Sequence, residues 1–74
     1  MKEVLGFHDC CKRISDNAGQ KALNWAVNYA RAGLYMAEGS EEARVQALYI
    51  VGNITHWRGE EAKLVRASLK VHGK

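Results

Sequence analysis

Apolar residues recur along this chain mostly at spacings of three and four, the period of one face of an α-helix. Val4, Phe7, Cys11 and Ile14 form the first stripe, with Lys12 and Arg13 toward its end, where cations suit the helix dipole. Asn17-Ala18-Gly19 then offers a break. From Gln20 to Ala37 the apolar residues cover nearly the whole circumference, which predicts a central helix. Ala22, Ala26, Ala30 and Gly33 line one side of it, small enough for a second helix to approach closely, and Trp25 and Tyr29 stand on the other. Gly39 and Ser40 read as the end of that helix and the N-cap of the next, with Glu41 and Glu42 in the first turn. The third stripe is Ala43, Ala47, Ile50, Val51 and Ile54, flanked by Leu48, and it weakens at Gly52-Asn53. A fourth helix follows Gly59, with Glu60 and Glu61 in its first turn, Ala62, Val65 and Leu69 facing inward, and Gly73 at its end.

The pattern predicts an all-α fold, a single domain over 1–74. It reads as a compact bundle of three to four short helices near 2–17, 20–37, 41–54 and 60–72. Trp25, Val27, Ala30, Leu34, Leu48, Ile50, Val51, Ile54, Val65 and Leu69 are the expected core. Three short neighbours can hardly cover every face of the central helix. Self-association is therefore expected, a dimer by default, with Trp25, Tyr29, Tyr35 and Met36 at the interface.

Length and composition sharpen this picture. Apolar residues make up 47% of 74 residues and proline is absent, so the chain can fold and its helices need not be interrupted. A domain this small buries only about 60% of its unfolded surface, which leaves little stability to spare. Eleven Lys and Arg against eight Asp and Glu give +3, too mild to imply nucleic-acid binding by itself. No secretory signal and no run of about 20 apolar residues is visible. Cys10 and Cys11 are adjacent and cannot close the loops of a disulfide framework. A cytoplasmic protein with reduced thiols is expected, Cys11 buried and Cys10 partly accessible, with no membrane partner.

Candidate chemistry is sparse. His8 and Cys11 share a helix face, as a nucleophile–base pair would, yet Cys11 belongs to the apolar stripe. His8-x-x-Cys11 is half a metal site at best, and His56 and His72 lie far along the chain, so no metal, no cofactor and no enzyme activity are expected. His8 and His72 read as surface residues. Lys63, Arg66, Lys70 and Lys74 form a basic ridge that suits phosphate contact, or simply complements the helix dipole. Both helices that could read DNA begin with Glu-Glu, which repels phosphate.

Thr55-His56-Trp57-Arg58-Gly59-Glu60-Glu61 joins an aromatic, a guanidinium and a glycine where one helical pattern stops and the next begins. One reading makes it a binding corner for a ligand or partner: Arg58 offers a planar fork, Trp57 a ring face, and Asn53, His56, Gly59, Lys63 and Arg66 complete the surroundings. The other makes it structural, with Trp57 as a lid on the core, Gly59 as the turn, and Arg58 paired to Glu61 or Glu42.

Tyr49, Asn53, Trp57-Arg58-Gly59, Ala62-Lys63 and Arg66 resemble a pattern of small uncharacterised helical phage and prophage proteins. The resemblance covers the last third of the chain well and Leu23 to Leu34 loosely, and it carries no catalytic residue. It implies a phage accessory protein acting in the bacterial cytoplasm, where proteins of this class antagonise immunity by binding a host defence protein or a nucleotide messenger. A small nucleic-acid-binding regulator and a structural or assembly subunit are the other classes the residues admit.

Overall fold

The computed structural model describes residues 4–74, and among them every regular element is helical. The order is α1 (Phe7–Asp16), a 3-10 turn (Lys21–Leu23), α2 (Ala26–Gly33), α3 (Glu41–Gly52) and α4 (Glu60–His72). The packed pairs are α1–α2, α2–α3, α3–α4 and α4–α1, so the four helices close a ring around one core. The all-α reading holds. The predicted first helix starts at residue 2, which lies outside the described residues. Residues 4–6 are not helical, and Val4 is exposed.

The late start of α1 has a cause in α4. The Leu5 N–H donates to the Ser68 hydroxyl at 2.9 Å, and His72 Nε2 donates to the Leu5 carbonyl at 2.7 Å. These bonds hold the segment before Gly6 against α4 in place of a further helical turn. They bury Leu5, which lies off the predicted stripe.

The second helix departs most from the sequence reading. Instead of one element over 20–37 there is a 3-10 turn, a short α2, and then tightened turns. In these the N–H groups of Tyr35 and Met36 donate to carbonyls three residues back. Only one side is covered, by Leu23, Ala26, Val27, Ala30 and Gly33. Trp25 is 73% exposed and Leu34 also faces solvent, so neither belongs to the core, and α2 is not a central helix. The small-residue side does what its composition predicts. A Cβ on Gly33 would lie 2.8 Å from Cys11 Sγ and 3.0 Å from Phe7 Cζ, because α1 and α2 nearly touch there.

Ser40 caps α3, its hydroxyl accepting the Ala43 N–H at 3.1 Å, and Gly39 precedes it at φ +83°, where a side chain would be strained. Ala43, Ala47, Ile50 and Ile54 are buried as expected, Val51 is partly so, and Leu48 is exposed. Gly59 opens α4 at φ +112°, and Ala62, Val65 and Leu69 face inward.

Candidate functional site

The Trp57 corner is built from three constraints. Asn53 ends α3, its amide donating to the Tyr49 carbonyl at 2.7 Å. Trp57 then turns inward and is 2% exposed. Arg66, in the second turn of α4, donates to the Ile54 carbonyl at 3.2 Å and also to the Trp57 carbonyl. The Trp57 ring is therefore a core residue, with no face left for a ligand, and Arg66 leaves the basic ridge to clamp the turn. Lys63 does not converge on the corner. Its ammonium lies 4.0 Å from the Glu60 carboxylate, both groups well exposed. His56 and Arg58 remain on the surface. Arg58 pairs with neither Glu61 nor Glu42: Glu61 instead receives Arg13 at 3.4 Å and the Asn17 amide at 3.1 Å.

The thiols face the opposite way from a reactive pair. Cys10 and Cys11 are both fully buried, which corrects the expectation of an accessible Cys10. Burial, with a smaller contribution from the adjacent Cys11, pushes the Cys10 thiol from 9.0 to about 12. Burial and then Glu38 do the same to Cys11. The thiolate needed for nucleophilic attack is thus strongly disfavoured near neutral pH. His8 and His72 are half-buried and bonded through Nε2, to the Met36 carbonyl at 2.6 Å and to Leu5 respectively, and so are not simple surface residues. A carbonyl only accepts, so each ring carries its proton on Nε2. Among the described residues no group of three or more His, Cys, Asp or Glu could hold a metal ion.

The prominent surface feature is aromatic. Tyr35 is 93% exposed at the end of α2, and Trp25 stands free at its start. Between them Tyr29 stacks on Tyr49 of α3, ring centroids 6.0 Å apart and planes 26° apart. Gln46 fixes that seam by donating to the Tyr29 carbonyl at 2.8 Å. Of the four residues expected at an interface, Trp25, Tyr29 and Tyr35 present rings to solvent, while Met36 packs partly against the core. Sequence reasoning missed the Tyr29–Tyr49 pair and Gln46, since nothing along one helix reveals which residue of the next will meet it.

A cleft of about 290 Å³ lies between the start of α3 and the end of α4, bordered by Phe7, Ser40, Glu41, Arg44, His72 and Lys74. Its charged groups are largely engaged: Arg44 donates to both Glu41 oxygens at 2.9 Å, which holds that carboxyl below its usual range. No helix of the described residues is long and apolar enough to cross a membrane. No family model, curated protein or solved structure is similar enough to this chain to match it.

Proposed function

We propose that this chain is a non-enzymatic phage accessory protein that antagonises bacterial immunity in the host cytoplasm by stoichiometric binding. The observation that carries the reading is the exposed aromatic set on and beside α2: Trp25, Tyr29 stacked on Tyr49, and Tyr35. Solvated Trp and Tyr rings are a poor choice for an inert surface, and these two residue types dominate the energetics of protein contacts. Of the two kinds of target, a host effector protein and a nucleotide signal, the surface favours the protein. A nucleotide site at the corner would need the Trp57 ring and Lys63, and the ring is enclosed while Lys63 stands beside Glu60. The inward turn of Arg66 likewise weakens the phosphate-tracking ridge of a nucleic-acid regulator. Against catalysis stand the buried, high-pKa thiols.

The test is a plaque assay in bacteria carrying a defence system that restricts the phage. Expression of the chain should restore plating, and Trp25→Ala combined with Tyr35→Ala should abolish the effect with the melting temperature unchanged. Arg58→Ala alone should leave it largely intact. Loss of the effect through Arg58→Ala, with the aromatic variant fully active, would move the site back to the corner.

A further inference from the structure

We infer that the target met by the aromatic face of α2 is an acidic protein surface, whose carboxylates meet Arg31 and Lys21 while its apolar side chains cover Trp25 and Tyr35. Given the proposed reading of this face as a contact with a protein, its charge and hydrogen-bonding groups say which kind of protein fits. The buried side of α2 is Ala26, Val27, Ala30 and Gly33. The opposite side carries Trp25, Asn28, Ala32 and Tyr35 at spacings of three, four and three, and all four are exposed. Arg31 belongs to the same side, one turn after Asn28 and about one turn before Tyr35, and is exposed as well. Lys21 and Asn24, both exposed, lie just ahead of Trp25.

Among the described residues, α2 is the one α-helix whose charge has a single sign. Helix α1 mixes Asp9 and Asp16 with Lys12 and Arg13, α3 mixes Glu41 and Glu42 with Arg44, and α4 mixes Glu60 and Glu61 with Lys63, Arg66 and Lys70. From Asn17 to Ala37 the chain has no carboxylate at all, only Lys21 and Arg31. The cation-only stretch thus coincides with the stretch that leaves Trp25 and Tyr35 in water. The Asn24 and Asn28 amides and the tyrosine hydroxyls add further donors. Carboxylates on a partner accept from all of these, and one of them can take the Arg31 fork bidentately. A basic partner would meet like charge with no acid on α2 to relieve it. A nucleic-acid strand is also acidic but fits less well. Tyr29 and Tyr49 stack on each other, centroids 6.0 Å apart, so the free rings are Trp25 and Tyr35, at opposite ends of α2. Successive bases need a continuous platform and a cationic track, which two separated rings and two cations do not make.

Selection of random linear peptides, displayed on yeast, against the whole chain tests this. Peptides that need the aromatic face are those enriched on the wild type and not on Trp25→Ala/Tyr35→Ala. They should carry Asp and Glu beside Leu or Phe. Their binding, made as synthetic peptides, can be followed by Trp25 emission, which should shift to the blue as the ring leaves water, whereas Trp57 is buried throughout. Arg31→Glu and Lys21→Glu should each weaken binding about tenfold or more, with the melting temperature little changed. Lys70→Glu makes the same change in net charge on α4, across the ring from α2, and should leave affinity within about twofold. Peptides that need the aromatic face yet show no excess of carboxylates, or that lose nothing with Arg31→Glu, would overturn the inference while the contact surface itself stands. An enrichment indifferent to Trp25 and Tyr35 would remove both. Oligothymidine that binds this face more tightly than any selected peptide would replace the acidic protein with a nucleic acid.

Discussion

At Arg66 a guanidinium that the linear pattern places on an exposed cationic ridge bends back to the Ile54 and Trp57 carbonyls. Arg66→Ala should leave the Trp57 carbonyl without this donor, while the Ile54 carbonyl keeps the Trp57 N–H, and cost about 1–3 kcal/mol, read from urea denaturation. Only the structure separates such a clamp from a ligand-binding arginine, because spacing cannot say whether a long side chain follows its helix or folds across a neighbouring loop. The same limit applies to Trp57, whose ring is in the core; Cys10, by contrast, stands at i+3 from Phe7 and is legible as buried, although the stripe Val4, Phe7, Cys11 and Ile14 omits it. The thiols give a prediction with a defined sign. Below about pH 9 folded and unfolded chains both hold these protons, and stability does not depend on them. Above it the unfolded chain releases protons that the fold retains up to about pH 12, so stability falls as pH rises through that window. Alkaline denaturation of the wild type should therefore be steeper than that of a Cys10→Ala/Cys11→Ala variant, and equal slopes would contradict the account.

At the scale of elements, the strongest local signals survive. The cap at Ser40, the glycines before α3 and α4, and the inward stripes of α3 and α4 are where the pattern places them, because each rests on chemistry within one turn of chain. What fails is the continuity of the second helix. Apolar residues around the whole circumference read as a central helix, whereas Trp25, Leu34 and Tyr35 are apolar and exposed, and the chain there breaks into shorter turns. Periodicity measures what could be buried, and cannot register which apolar residues the fold leaves outside. The small-residue side of the same segment does carry over, and it yields a sharp test. Gly33→Ala would force a methyl into the space held by Cys11 and Phe7 and should destabilise by about 1–3 kcal/mol, measured by thermal melting. In most helix interiors the same exchange stabilises. A rise in melting temperature would show that α1 and α2 are further apart than described.

For the molecule as a whole, four short helices close around a core of mostly small and aliphatic side chains plus Phe7 and Trp57, and the radius of gyration is 10.8 Å. With one tryptophan and two tyrosines left largely in solvent, the chain forgoes apolar burial that so small a domain could use. On the proposed function, contact with another molecule offsets that loss. The most direct measurement is native mass spectrometry of the chain recovered from phage-infected bacteria, wild type beside the Trp25→Ala/Tyr35→Ala variant, with both shown to be folded by circular dichroism. The account predicts that the wild type carries one host protein at fixed stoichiometry, that no nucleotide is retained, and that the variant is recovered without the host protein. A variant that retains the same protein at the same stoichiometry, or a wild type that carries a nucleotide in its place, would contradict it.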